Sequence, residues 1–306
     1  MTTLVFGHKS PDTDSTGSPI IWAWYLNEVK GIPAEAMLLG EPNTEAEFVL
    51  MRWAVPTPRI IGDVAPGQPC VIVDTNNPAE LPAGIHAADI RQIIDHHKLA
   101  GGLETRAPID ITMRPLACTA TILYDLMGDD TAKMPDHIRA LMLSCILSDT
   151  LEFRSPTTTA HDRDVATDLA HELGISIPDY AAEMFAAKSD VSAYSDAELL
   201  RMDSKAYDVA GKSMRISVLE TTSPEVLLER KPGLMAAMEE VAREDGVDQV
   251  LLFVIDILNE EATLLVPNDL VRELAEKSFA VRVEGDTVLL PGVVSRKKQI
   301  IPNLPL

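Results

Sequence analysis

The first 188 residues alternate short apolar runs with longer stretches whose apolar positions recur at helical spacing. The runs at 3–7, 36–40, 70–74 and 90–95 read as strands, and the segments at 15–30, 44–53, 118–127, 136–148, 160–173 and 178–188 as helices. Pro135 and Pro178 stand at two of the predicted helix starts, where a missing amide hydrogen costs little. Strands separated by helices imply a mostly parallel sheet with helices on both faces. Around 189–195 the pattern breaks into small and polar residues, and a different rhythm follows. There the spacing predicts helices over 196–207, 224–229, 233–244 and 269–277, and strands over 213–220, 249–258 and 262–266. A hairpin is expected to turn at Glu284-Gly285-Asp286. The expected fold class is α/β with two domains, a larger one over 1–188 and a smaller mixed-sheet one over 195–306 with helices on one side, joined by a linker at 189–194.

Length agrees with this division, since 306 residues exceed the roughly 250 to 300 at which single cores stop growing. The best apolar run, 251–258, is short and holds Asp256, so no membrane partner is expected. The N-terminus reads as a strand rather than as the apolar segment of a signal peptide, which points to a cytoplasmic address. Charge changes the picture more. Against 26 lysines and arginines stand 47 acids, a net charge of −21, so nucleic-acid binding through a basic face is not expected. An anionic substrate would need metal ions or local cations to reverse that field. Cys70, Cys118 and Cys145 are widely spaced among apolar neighbours and read as core thiols.

The acids and histidines gather where predicted strands end. Gly7-His8-Lys9-Ser10-Pro11-Asp12-Thr13-Asp14 follows the first strand, Asp74 ends the third and Asp95-His96-His97 ends the fourth. Ligands of open parallel sheets bind beyond the carboxyl ends of strands, and imidazole with carboxylate suits a divalent ion. A polar loop with helix-capping carboxylates would explain the first cluster taken alone. If the chain is still extended at His96-His97, the two rings point to opposite sides and take different roles, with Asp95 fixing an imidazole tautomer behind them. Asp149 closes the helical stripe Ile138, Leu141, Met142, Cys145, so a core-facing stripe ends in a carboxylate that needs a partner. In the acidic second half, Lys205 and Ser295-Arg296-Lys297-Lys298-Gln299 supply cations that could clamp a polyanion or form a solvated patch.

Taken in order, these motifs resemble the manganese-dependent family II inorganic pyrophosphatases of the DHH phosphoesterase superfamily, over 6–302. The Asp-His-His triplet marks the superfamily, and the SRKKQ segment narrows the resemblance to pyrophosphatases. The resemblance implies a DHH domain followed by a DHHA2-type domain, two Mn2+ ions with Co2+ as a substitute, and Mg2+ accompanying the pyrophosphate substrate. It implies that His8, Asp12 and Asp74 bind one ion, that Asp14, Asp74, His96 and Asp149 bind the other, and that a hydroxide between them attacks phosphorus. His97, Lys205, Arg296 and Lys297 would contact substrate, and Lys298 has no assigned role. A regular strand would place Arg296 with Lys298 rather than with Lys297, so the implied pairing requires a loop or bulge. Domain closure with a hinge over 178–190 and a homodimer formed through first-domain strands are also implied. A short-chain exopolyphosphatase or a small-nucleotide phosphodiesterase of the same superfamily is the alternative. Few aromatic residues and no glycine-rich motif ending in histidine in the second half speak against the latter.

Overall fold

The structure is a computed structural model that describes residues 1–209 and 211–305; Ala210 and Leu306, both within the predicted second domain, lie outside the described residues. The chain divides into two compact units, Met1–Lys188 and a second that begins at Ser189.

In the first unit, β1 (Thr3–Phe6), β2 (Ala34–Leu38), β3 (Arg59–Ile60), β4 (Pro69–Val73), β5 (Asp89–Asp95) and β6 (Asp110–Met113) form one sheet in the order β3-β2-β1-β4-β5-β6. All of its pairings are parallel. Strand order reverses between β1 and β4, so the crevice beyond their carboxyl ends is the natural ligand site. β4 is buried at every position because both faces of the central sheet are covered. The helices are α1 (Thr13–Glu28), α2 (Thr44–Arg52), α3 (Thr119–Met127), α4 (Asp136–Thr150), α5 (Ala160–Leu173) and α6 (Ile177–Lys188). α1 and α4 cross closely at Gly17, where a Cβ would fall 2.4 Å from the buried Cys145 Sγ. The face bearing Phe6, Ile72 and Ile93 packs on Leu81 and Ile85, which lie in and between the short 3-10 turns Pro78–Glu80 and Ala83–Ala87.

The chain differs from the pattern expectations in places. β3 and β6 are strands the pattern did not predict, one of two residues and one of four at the opposite edge of the sheet. α4 is buried on nearly every side, so no single stripe defines its core face. Residues 178–188 of the expected hinge lie in α6, which buries Tyr180, Ala181, Met184 and Phe185 and hydrogen-bonds Tyr180 to Trp53 and Ser144.

The second unit holds α7 (Asp196–Met202), β7 (Ser204–Val209), β8 (Lys212–Thr221), α8 (Pro224–Glu229), α9 (Lys231–Asp245), β9 (Gln249–Asp256), β10 (Glu261–Leu265), α10 (Asp269–Phe279) and β11 (Thr287–Pro291). Its sheet runs β11-β10-β9-β8-β7 and is mixed, with β8 and β9 parallel. Helices cover both faces rather than one. Leu199, Leu227, Leu234 and Met238 pack on one side, and Val271 and Leu274 on the other, leaving β9 buried throughout. The helix expected over 196–207 ends at Met202, and Lys205 lies on β7 instead. The hairpin expected at 284–286 does not form: β11 pairs with β10 across α10, and residues 280–283 between α10 and Glu284 are not strand. Among the described residues no helix is long and apolar enough to cross a membrane.

Candidate metal centre

The turn between β1 and α1 is tight for a steric reason. A Cβ on Gly7 would lie 2.0 Å from Ser15 Oγ and 2.9 Å from Ser15 O, so only glycine lets the chain pass this close to the helix start. The Ser15 hydroxyl then accepts from the His8 amide at 2.8 Å, and the Asp12 carboxylate caps α1 by accepting from the Ser15 amide at 2.9 Å. Asp14, in the first turn, is fully buried and accepts from the Ser18 hydroxyl at 2.6 Å and the Thr119 amide at 2.7 Å.

Asp74 sits just past β4 with φ 59°, a left-handed backbone that aspartate tolerates better than most residues. Its side chain is buried, and its two oxygens face different partners. Oδ2 lies 3.5 Å from His8 Nε2, while Oδ1 lies 3.4 Å from His96 Nε2 and accepts from the Thr119 hydroxyl at 3.1 Å. His8 Nε2 is also 3.7 Å from Asp12, and His96 Nε2 is 3.9 Å from Asp149. Ligand atoms of His8, Asp12 and Asp74 therefore cluster within 4.8 Å of one another, as do those of Asp14, His96 and Asp149, and of Asp74, His96 and His97.

The two adjacent histidines do not point to opposite sides. The strand ends at Asp95, and the rings stand 4.2 Å apart between centroids, tilted by 56°. Their roles still differ. His96 Nδ1 faces the Leu116 carbonyl at 3.2 Å, so that nitrogen carries the proton and Nε2 is left as a donor to a metal. His97 Nδ1 instead meets Asp95 at 2.9 Å, and its ring is half exposed. Buried Asp95 is held in turn by Asn76 at 2.6 Å and by the His97 amide at 3.0 Å. A cavity of about 500 Å3 opens beside His8 and His97, with Lys9 and Lys98 on its wall.

The electrostatics are those of a crowded acid cluster. Burial, then the charges of Asp14, Asp12, Asp149 and Asp95, pushes the Asp74 carboxyl well above the usual range. Burial, then Asp14 and Asp12, does the same for Asp149. Among the described residues neither Asp14 nor Asp74 pairs with lysine or arginine. Buried carboxylates with imidazole nitrogens at this spacing fit divalent cations, which would supply the missing positive charge. Asp12 and Asp95 lie below the usual range. Burial raises both, but hydrogen bonds outweigh it, from His8 and the Ser15 amide for Asp12 and from His97 and Asn76 for Asp95. The bond to Asp95 raises the His97 imidazole.

In the second unit, Ser295 and Gln299 fold the basic segment into a wide helical turn. The amides of Gln299 and Ile300 donate to Ser295 O, and Gln299 Oε1 accepts from the Val294 amide. A helical turn rotates successive side chains by far less than a strand does, so adjacent Arg296 and Lys297 can share a side without a bulge. Arg296 reaches Asp203 through both terminal nitrogens, at 2.8 Å to its carbonyl and 2.7 Å to its carboxylate, two positions before exposed Lys205. Lys297 and Lys298 are exposed. Thr119, Ser18 and Asn76, which hold the acids in place, were not singled out by the sequence pattern.

Comparison with known proteins places the chain in a family. The DHH family, N-terminal domain, matches residues 2–148, and the DHHA2 domain matches residues 182–305. A Deinococcus radiodurans protein named manganese-dependent inorganic pyrophosphatase is 39% identical over 305 residues, covering 98% of this chain and 96% of its own. One from Lactobacillus acidophilus bearing the same name is 34% identical, covering 98% and 97%. A Methanococcus jannaschii structure described as a family II inorganic pyrophosphatase superposes with a TM-score of 0.62 at 35% identity, covering 99% of this chain and 98% of that one. A Bacteroides fragilis exopolyphosphatase-related protein, 14% identical with a TM-score of 0.52, shares the fold alone. By its two domains and by more than a third of its residues shared with such relatives along nearly its whole length, this chain belongs to the manganese-dependent, family II inorganic pyrophosphatases.

Proposed function

We propose that this protein hydrolyses inorganic pyrophosphate to two phosphates at a pair of divalent ions held by the first unit. The observation that carries the reading is Asp74, a buried carboxylate that turns one oxygen to His8 and the other to His96, so that it can serve two ions at once. In this reading His8, Asp12 and Asp74 hold one ion, and Asp14, Asp74, His96 and Asp149 the other. The mixed nitrogen and carboxylate set suits manganese, with cobalt as a substitute, better than an all-oxygen magnesium site; Mg2+ enters with the substrate. When bound, the ions supply Lewis acidity toward water and the phosphoryl oxygens.

The chain itself positions and neutralises. Asp95 holds the proton at His97 Nδ1, which favours the imidazolium and leaves Nε2–H to meet a phosphate oxygen. Lys205, Arg296 and Lys297 would oppose the remaining charge of the substrate and of the departing phosphate. Arg296→Ala is expected to raise KM for pyrophosphate about tenfold or more, as for a lost hydrogen bond between charged groups, while bound manganese stays at the wild-type level. Unchanged kinetics would move the clamp elsewhere.

Three free, buried cysteines suit a reducing cytoplasm. A homodimer formed through β6 is supported by the free edge of that strand, where Ile111 and nearby Leu99 are 57% and 75% exposed. Light scattering reads it directly, and a monomer mass at micromolar concentration would remove it.

The activity is tested by phosphate release from pyrophosphate, tripolyphosphate and a dinucleotide by metal-stripped protein given manganese, cobalt or magnesium. Fast hydrolysis of pyrophosphate alone, highest with manganese or cobalt, is the expected result. Preference for the longer chain or the dinucleotide would overturn the substrate.

A further inference from the structure

We propose that Glu45 is a positioning residue for the metal centre, holding Asp12, Asp14 and Asp149 at ligand spacing through their chain neighbours; this role rests on the two-ion reading above. Glu45 lies in the first turn of α2 and is fully buried. Its Oε2 accepts from the Thr13 hydroxyl at 2.9 Å and the Ser148 hydroxyl at 2.6 Å, and stands 3.3 Å from Lys188 Nζ. Thr13 lies between Asp12 and Asp14, and Ser148 precedes Asp149. One oxygen therefore ties the start of α1 to the end of α4, the two helix ends that carry three of the four acids.

That tie opposes a specific force. Half-exposed Asp12 and partly buried Asp149 crowd against fully buried Asp14, and like charges in a medium poorer than bulk water push the two helix ends apart. An ion binds only where its donors are already near their final places, and an error of about 1 Å is costly. Glu45 suits the task because one carboxylate oxygen can accept two hydroxyls and face an ammonium at once, a load a neutral amide oxygen bears less well. Its other oxygen, Oε1, is buried with no hydrogen-bond partner among the described residues. An unsatisfied buried acceptor costs stability, so packing alone does not account for a carboxylate here.

The test measures Mn2+ binding to metal-stripped protein by equilibrium dialysis and by the spin-resonance signal of free Mn2+. It uses wild type, Glu45→Gln, Thr13→Val and Thr13→Ser, with the thermal melt of each metal-free chain alongside. Glu45→Gln and Thr13→Val are expected to bind Mn2+ about 10- to 100-fold more weakly, as for loss of a group that orients ligands. At saturating Mn2+ both should regain kcat to within a few-fold, with KM for pyrophosphate unchanged. Thr13→Ser, which keeps the hydroxyl, should bind as wild type does. If Glu45→Gln does not fold, the contrast between the two Thr13 variants decides. Mn2+ affinity within twofold of wild type in Thr13→Val, or in folded Glu45→Gln, would overturn the role. A wild type that binds no Mn2+ would instead sink the metal-centre reading, and this role with it.

Discussion

Asp74→Asn is expected to cut pyrophosphate turnover by about a thousandfold or more at saturating manganese, some 4 kcal/mol of transition-state stabilisation. Among the described residues Asp74 alone stands within 4.0 Å of both His8 and His96, so on the proposed two-ion reading its loss would weaken two ion positions rather than one. The fold should survive. Asparagine visits the left-handed region, where Asp74 sits at φ 59°, about as readily as aspartate, and its oxygen can still accept from the Thr119 hydroxyl. The substitution also replaces a carboxyl, whose anion burial, Asp14, Asp12, Asp149 and Asp95 all disfavour, with a side chain that is neutral at every pH. The metal-free variant should therefore melt higher than metal-free wild type, by a few degrees. Steady-state kinetics, metal content and calorimetry check the three parts. Turnover within tenfold of wild type would remove Asp74 from the centre of the mechanism.

What could be read from the chain beforehand follows from how local each signal is. β1 and β4 are largely apolar runs followed by glycine or acid, and β5 ends its apolar Ile93-Ile94 pair in Asp95, so the loss of apolarity marks where the sheet's ligand edge begins. α5 is legible to the residue, because Thr159 and Asp162 form a reciprocal cap and Gly174 ends the helix in a left-handed turn. β6 escaped because it is a four-residue edge strand with only two apolar positions, and the end of α7 because Lys205-Ala206-Tyr207 reads equally well as helix. Asp95, within the motif it supports, was legible, but the more distant supports of the acid cluster were not. Thr119 meets Asp14 across 105 positions, and Glu45 meets Ser148 across 103, so their pairing exists only once the sheet has brought α1, α2, α3 and α4 together. Chemistry borne by a short motif is visible in sequence, and the long-range bonds that aim it are not.

Removing the metal is expected to abolish turnover and to reverse how stability depends on pH. In the metal-free chain, burial and neighbouring acids raise Asp74 and Asp149, and the hydrogen bond to Asp95 raises His97. Groups raised on folding bind more protons in the native state than in the unfolded one, so stability falls as pH rises through that interval. Asp12 and Asp95, held below the usual range, contribute stability that is fully present above the unfolded carboxyl range and do not change between pH 5 and 8. Metal-free protein should thus melt several degrees higher at pH 5 than at pH 8, given that about 1 kcal/mol moves the midpoint of a domain this size by about 2–4 °C. With excess manganese the trend must invert. Carboxylates and imidazoles bind the ion only when deprotonated, so protons compete with it and its stabilisation is lost toward pH 5. Calorimetry of the first unit's transition with and without manganese, at both pH values, reads the sign directly. Parallel trends in the two series would mean that these acids and histidines are not where the ion binds, because no group whose proton is displaced by a metal can leave the pH dependence of stability unchanged.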